Sequence, residues 1–123
     1  MVVNLLNLNQ MKSLRNSVRL MGNLGMNPEI RTTANNKKVA SFSVATNESW
    51  RDHDGNQVKE TQWHRVVAWG KLADLAEKIL NKGTPVVLEG SINNRQYQDA
   101  KGEKRNVTEI VASDFLMVGT KKE

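Results

Sequence analysis

Apolar and polar positions alternate along most of this chain, and a period of two indicates β-strands that bury one face. The clearest case is residues 38–47, where Ala40, Phe42 and Val44 occupy one predicted face. Turn signals such as Asp54-Gly55 separate the alternating segments. The pattern predicts strands over residues 18–24, 29–33, 38–47, 61–70, 86–98 and 105–112.

One segment changes its period from two to about 3.6, which indicates a helix with one apolar face. The apolar positions with this spacing are Leu72, Leu75, Ala76, Ile79 and Leu80. They predict a helix over residues 71–80, which Gly83 caps and Pro85 prevents from continuing. A single helix among strands favours a small barrel over a β/α alternation. We therefore predict an all-β protein, a five-stranded antiparallel barrel with one short helix between strands, which is the order of elements in an OB-fold.

The length of 123 residues suits one domain rather than two. The chain has no cysteine, so disulfides and thiolate metal sites are excluded. Its apolar runs are shorter than the roughly 20 residues of a transmembrane helix, and the amino terminus lacks the features of a signal peptide. Patterned sequence begins near Leu14, so we expect residues 1–12 to be an extension that precedes a domain over residues 13–118.

The formal net charge is +5, and the excess of basic residues lies in the first part of the chain. Residues 1–50 contain six basic and two acidic residues, whereas residues 51–105 contain ten and eight. Such an imbalance suits a polyanionic partner such as nucleic acid. Charge alone does not decide the function, because many basic proteins bind no nucleic acid.

Every tryptophan and the single tyrosine lie near a basic residue in the sequence. The pairs are Trp50 with Arg51, Trp63 with Arg65, Trp69 with Lys71, and Tyr97 with Arg95. A ring beside a cation can stack on a base while the cation meets a phosphate, and such stacking tolerates any base. The alternative is that these rings fill the core or a contact between subunits.

Arg65 is predicted to lie between Trp63 and Trp69 on one face of its strand. A charged arginine is costly to bury without a partner. Either this face is open to solvent or Arg65 meets an anion. An exposed surface with two tryptophans is typical of a binding site.

Asp52, His53 and Asp54 are residue types that bind metals or transfer protons. They occupy consecutive positions on a predicted hairpin loop, and no second cluster supplies further ligands. We interpret them as a solvated turn and predict no catalytic residue, no metal site and no cofactor. The enzymatic alternative is a nuclease that uses Asp52, Asp54 and a divalent ion. His64 lacks a neighbouring nucleophile on its strand face, so we expect it to be packed or to face a subunit.

Four segments of the sequence resemble segments of a known protein family and occur in the same order. They are VRLMGNLGMNPEIR from Val18, VASFSVATNESWRD from Val39, TQWHRVVAWGKLADLA from Thr61 and KGTPVVLEGSINNRQY from Lys82. With these segments, the chain resembles the bacterial single-stranded DNA-binding proteins from about Leu14 to Val118.

The resemblance implies an OB-fold subunit that binds and protects single-stranded DNA in replication, recombination and repair, without catalysis and without strong sequence preference. It also implies a homotetramer in the bacterial cytoplasm, associated with the nucleoid and not with a membrane. The exposed edges of a five-stranded barrel and the apolar run from Phe115 to Val118 are expected to supply the subunit contacts.

The resemblance further implies which side chains meet the DNA. The stacking residues would be Trp50, Trp63, Trp69 and Tyr97. The phosphate contacts would come from Arg31, Arg65, Lys71, Lys82 and Arg95. Relatives often have a lysine after the WRD motif where this chain has His53, so the resemblance implies a weaker phosphate contact at this position.

The carboxyl-terminal end departs from the family pattern. Family members continue into a flexible linker whose acidic, hydrophobic tip recruits replication and repair enzymes, whereas this sequence stops at Glu123. We expect residues 119–123 to be a short end that lacks this recruitment route, as in a truncated chain or an accessory paralogue. The alternative function is a tail-less primosomal or accessory OB-fold protein that acts mainly through protein partners.

Overall fold

The computed structural model describes residues 14–119, and the predicted extension over residues 1–12 lies outside them. The strands are β1 (Val18–Leu24), β2 (Glu29–Thr32), β3 (Lys38–Arg51), β4 (Gln57–Trp69), β5 (Pro85–Gln98) and β6 (Lys104–Met117). Helix α1 (Lys71–Ile79) connects β4 to β5. Within the described residues, no helix is long and apolar enough to cross a membrane.

Five strands close into a barrel in the order β1-β5-β6-β4-β3, and β1 pairs with β3 to complete the ring. The short strand β2 continues the sheet along β3, next to the place where β1 pairs with it. The predicted five-stranded OB-fold barrel is confirmed. One of its contacts is parallel, with Val66 and Val67 of β4 beside Ile110 and Val111 of β6. A parallel contact is unavoidable, because strand directions cannot alternate all the way round a ring of five.

The apolar faces of the strands fill the barrel interior. Ala40, Phe42 and Val44 are buried, as the alternation predicts, and they share one cluster with Leu88 of β5. Phe115 belongs to the same cluster, so the expectation that it contacts another subunit is wrong. The reason is that β6 continues beyond residue 112 as a partner of β5 and places this ring inside the barrel.

Helix α1 covers the core beside β3 and β4. It begins after Gly70, whose φ of 61° takes the chain out of β4 through a conformation that favours glycine. Ala73 and Ala76 are fully buried on the face of the helix that is turned toward the barrel core. Leu75, which was predicted on the apolar face, is exposed instead. The nine-residue helix therefore buries two small side chains completely, and Leu72 and Ile79 pack against the core while remaining partly exposed.

The helix ends at Ile79, since Leu80 has an extended backbone. The prediction that Gly83 caps the helix is wrong. Gly83 lies in the following turn with a φ of 89°, and its N–H donates to the carbonyl of Leu24 at 2.8 Å. This hydrogen bond links the turn before β5 to the end of β1.

Two polar hairpin arms project from the barrel. In the first, the pairing of β3 with β4 continues as far as Arg51 opposite Gln57. In the second, β5 pairs with β6 as far as Gln98 opposite Lys104. The predicted strands over residues 38–47 and 61–70 do not include the first arm. Neither face of this arm is buried, so its sequence has no alternation of apolar and polar residues from which a strand could be predicted.

An aspartate closes each arm in the same way. Asp52 Oδ1 accepts hydrogen bonds from the backbone N–H groups of Asp54 and Asn56, at 3.0 and 2.9 Å. Asp99 Oδ1 does the same at the second turn, with donors at 2.9 and 3.0 Å. The structure agrees with the interpretation of residues 52–54 as a solvated turn. Across residues 14–119, no three His, Asp or Glu side chains are grouped to hold a metal ion.

Candidate nucleic-acid interface

A groove of about 530 Å³ lies on the outer face of the sheet, across β2, β3, β4, β6 and β5. We call it the cationic groove. Val39, Val67 and Val111 form an apolar part of its lining. The polar and aromatic part includes Arg31, Arg65, Trp69, Asn93, Arg95 and Glu109. A planar apolar group and an anion can therefore be accommodated side by side.

Arg65 reaches this groove because its strand face points outwards. Its neighbour Val66 is fully buried, so alternation places Arg65 on the opposite side of the sheet. The parallel register of β4 and β6 then brings it beside Glu109, with 3.4 Å between Arg65 Nε and Glu109 Oε2. Arg65 is thus half exposed and also paired with an anion of the chain itself.

Arg95 approaches the same carboxylate from the other side. Its Nε donates to Glu109 Oε1 at 3.1 Å. Its guanidinium carbon lies 5.9 Å from the centroid of the Tyr97 ring, within the range of a cation–π contact. One acidic side chain therefore holds two arginines at the edge of the groove.

Trp69 lies between the cationic groove and a second cavity of about 580 Å³, because it lines both. The second cavity, which we call the lysine cleft, is also lined by Lys37, Lys38, Lys71 and Asp74. The indole is 45% exposed. A base stacked on this ring would have cations on both sides.

The lysines of the cleft differ in whether their ammonium groups are paired with a carboxylate. Lys38 Nζ lies 2.7 Å from Asp74 and 2.6 Å from Glu77, and these hydrogen bonds raise the pKa of Lys38. The hydrogen bond from Lys38 likewise lowers the pKa of Asp74. Lys37 and Lys71 form no ion pair with any residue in the described range 14–119. These two ammonium groups are therefore the ones available to an external anion.

Trp63 lines a smaller cavity of about 200 Å³ together with Met26, Glu29 and His64. Its indole passes directly over Gly25, where an added Cβ would overlap the ring. Glycine at this position therefore allows the ring to lie against the backbone that follows β1.

The four candidate stacking rings are all exposed, by 45% to 63%. Trp50 and Tyr97 lie on the two arms, near their turns. This exposure excludes a core role for the rings and leaves base stacking or a subunit contact. Their role in DNA binding stays a prediction.

The candidate cations are less closely grouped than the rings. Arg31 and Lys71 line the cationic groove and the lysine cleft respectively. Lys82 is exposed in the turn before β5, where its backbone N–H donates to Asn27 Oδ1 at 2.8 Å, and it lines neither cavity. The structure thus brings Arg31, Arg65 and Arg95 together and leaves Lys82 apart.

His64 has a structural partner. Its Nε2 lies 2.9 Å from Thr46 Oγ1 on the neighbouring strand, and the pair is partly buried. This contact agrees with the expectation that the imidazole is packed.

Glu109, Asn93 and Lys37 are groove or cleft residues that the sequence reasoning missed. Nothing in the local sequence distinguishes Glu109 from a solvated acidic residue. Its placement depends on the register of β6 against β4, in which the paired residues are 44 positions apart in sequence. Lys37 follows the turn signal Asn35-Asn36, and its nearness to Lys71 and Trp69 could have been suspected from the pairing of β3 with β4 alone.

The sequence model of the Single-strand binding protein family matches residues 15–118 of this chain. The chain belongs to this family. The match includes all six strands and helix α1, so the exposed rings, the cationic groove and the lysine cleft all lie within the family domain.

Two curated relatives of this family member are 47% and 44% identical to it over the aligned residues. Single-stranded DNA-binding protein 1 of Chlorobaculum tepidum is 47% identical over 107 residues, which cover 86% of this chain and 66% of the relative. The single-stranded DNA-binding protein of Neisseria meningitidis serogroup A is 44% identical over 108 residues, covering 88% and 62%. This chain therefore spans about two thirds of the length of these two relatives or less.

A solved structure has the same fold. It is described as Plasmodium falciparum SSB complex with ssDNA, and it superposes on this family member with a TM-score of 0.76 at 35% identity. The alignment covers 85% of this chain and 95% of the Plasmodium chain.

Proposed function

We propose that this chain binds single-stranded DNA without catalysis and without strong base preference. The observation that carries the proposal is the position of Trp69, a half-exposed ring flanked by the cationic groove and the lysine cleft. Unstacked bases are available only in single strands, and every base has a π-face that such a ring can cover. The names of the relatives and of the solved complex support the same ligand.

Bases and phosphates would be bound by different side chains. Trp50, Trp63, Trp69 and Tyr97 would stack bases, each for about 1–3 kcal/mol. Arg31, Arg65, Arg95, Lys71 and Lys82 would meet phosphates, with Lys37 added by its place in the lysine cleft. Phosphate contacts release counterions, so log K should fall with log salt by about 0.7 per contact.

We further propose that the protein assembles as a homotetramer. Val18 to Gly22 of β1 pair with β5 on one side, whereas pairing with β3 on the other side involves only Asn23 and Leu24. Most of β1 is thus an open edge within the described residues, and such edges favour pairing with another copy. Met21 and Leu116 are exposed, and the register that pairs both strands with β5 at Val87 places them on the same face of the sheet, where they add apolar surface. Light scattering should give four times the 13.8 kDa of one chain.

The cellular role that we infer is the protection of single strands during replication, recombination and repair in the bacterial cytoplasm. Recruitment of other enzymes would be a separate function of the whole protein. The exposure of all four rings favours DNA binding over action mainly through protein partners.

A titration with oligo-dT at low salt, followed by tryptophan emission, tests the proposal. Three of the four rings are tryptophans, so stacking should quench the emission strongly. A duplex of equal length, whose bases are already stacked, is the matched control and should quench little. Intact emission at saturating oligo-dT would refute the stacking model. Labelled DNA incubated with the protein and Mg²⁺ should remain intact, and its degradation would refute the absence of catalysis.

A further inference from the structure

Glu109 is an acidic side chain in the middle of a surface that is otherwise suited to a polyanion. Its side chain is only 7% exposed, and it lines the cationic groove. A carboxylate in this place opposes the approach of phosphates by Coulomb repulsion. Its presence in the groove therefore calls for a physical explanation.

The contacts of Glu109 involve only one edge of each arginine. Arg95 donates through Nε at 3.1 Å, and Nε of Arg65 lies 3.4 Å from the other carboxylate oxygen. Within the described residues 14–119, the terminal guanidinium nitrogens of both arginines donate no hydrogen bond to another residue. Guanidinium has five N–H donors in a rigid plane, so the hydrogen bond at Arg95 Nε orients the remaining four donors of that side chain, whereas Arg65 is held by an ion pair alone.

The carboxylate itself is not fully satisfied by these contacts. Glu109 Oε2 is buried and has no hydrogen bond within accepted geometry. A buried acceptor in this state is unfavourable by itself. The unsatisfied oxygen is consistent with a side chain that is placed to contact the two arginines although its own hydrogen bonding is incomplete.

From this geometry we propose that Glu109 is a positioning residue, which holds Arg65 and Arg95 with their terminal N–H groups directed at the DNA backbone. The inference rests on the proposed function, because it names the residue that orients two of its phosphate contacts. Orienting two long side chains before the DNA arrives reduces the entropy lost on binding. Both side chains are 45% exposed, so their free edges can be reached from solvent.

Glu109→Gln tests the proposal because two explanations predict opposite signs. If Glu109 positions the arginines, its neutral amide should hold them less well, and the Kd for oligo-dT should rise about tenfold at low salt. The salt slope should also fall by about 0.7 to 1.4, as one or two phosphate contacts are lost. If Glu109 is only a repulsive charge, the variant should bind as tightly as the wild type or more tightly, and this result would overturn the proposal.

Glu48→Gln is the matched control. It removes the same charge from an exposed position on β3, and the side chain of Glu48 forms no hydrogen bond or ion pair with another described residue. We expect its Kd to be unchanged or lower than that of the wild type. Adding Glu109→Gln to the double variant Arg65→Ala/Arg95→Ala should leave its Kd unchanged, because a positioning residue acts only through the side chains that it positions.

Arg95→Lys keeps the proposal testable if Glu109→Gln does not fold, because Arg95 is half exposed and its replacement retains the charge. Lysine has a single ammonium and cannot bind the carboxylate at one edge while offering a fork at the other. The proposal predicts weaker binding for this variant, and wild-type affinity would overturn it. If the wild type itself fails to bind oligo-dT, the proposed function fails. If the wild type binds and both variants match it, only the role of Glu109 fails.

Discussion

Replacing Trp69 by alanine should remove one stacked base from the junction of the cationic groove and the lysine cleft. A stacked base contributes about 1–3 kcal/mol, which corresponds to a change in Kd of about 5- to 150-fold. The ring is 45% exposed, so protein already covers part of it and only the remainder is free for a base. We therefore expect a rise in Kd toward the lower part of this range, about 5- to 30-fold.

Fluorescence anisotropy of a labelled oligo-dT is the appropriate assay, because the substitution also removes a tryptophan signal. Trp69→Phe keeps a π-face and should recover most of the affinity. Leu75→Ala removes a similarly exposed apolar side chain from α1, outside both cavities, and should bind like the wild type. The salt slope should change by less than about 0.7, because no phosphate contact is removed.

Thermal unfolding would establish that the Trp69→Ala protein is folded under the conditions of the titration. A folded variant whose Kd stays within about twofold of the wild type would refute the stacking role of this ring, since the expected loss from one base is larger. Equal losses in Trp69→Ala and Leu75→Ala would point to a general effect of truncation instead.

The other predictions concern the lysine cleft, the ring at Gly25 and the second arm. Lys71→Ala should reduce the salt slope by about 0.7, whereas Lys78→Ala, on the same helix but outside the lysine cleft, should leave it unchanged. Gly25→Ala should displace the Trp63 indole, shift the tryptophan emission of the free protein and weaken oligo-dT binding; an unaltered spectrum would contradict the contact. The pKa of Asp99 is lowered because a guanidinium and backbone N–H groups bond to its charged form. Its stabilising effect is therefore present above the ordinary pKa of 3.8 and is lost as the pH falls through the lowered value. Asp99→Asn should lower the urea midpoint at neutral pH and approach the wild type in acid, and a pH-independent difference would contradict this reasoning.

The barrel strands were predictable because burial is periodic along the chain. Each barrel strand packs against one common core, so the alternation of Ala40, Phe42 and Val44 marks an inward face without knowledge of the neighbouring strands. The same alternation places Arg65 on the outward face. The rings and cations that lie close together in the sequence therefore include residues that line the cationic groove, such as Arg65, Trp69 and Arg95.

Local sequence was less informative where a partner strand or a chain reversal sets the structure. The first arm carries no apolar alternation, because its pairing continues from the barrel without a buried face. Phe115 was predicted in the wrong place because β6 continues beyond residue 112, where its apolar alternation ends, and its pairing with β5 buries this ring. Gly83 was misassigned to the helix because the turn that it occupies is joined to β1.

The amino-acid sequence by itself determined which face of each barrel strand is turned toward the core, where the helix lies and which cations neighbour the aromatic rings along the chain. These properties follow from the spacing of side chains along one strand or one helix. Only the tertiary structure decided that Glu109 lies between Arg65 and Arg95 and that Trp69 separates two cavities. Such neighbours come from strands far apart in the chain, and closure of the barrel sets their register. No periodicity within a single segment encodes that closure.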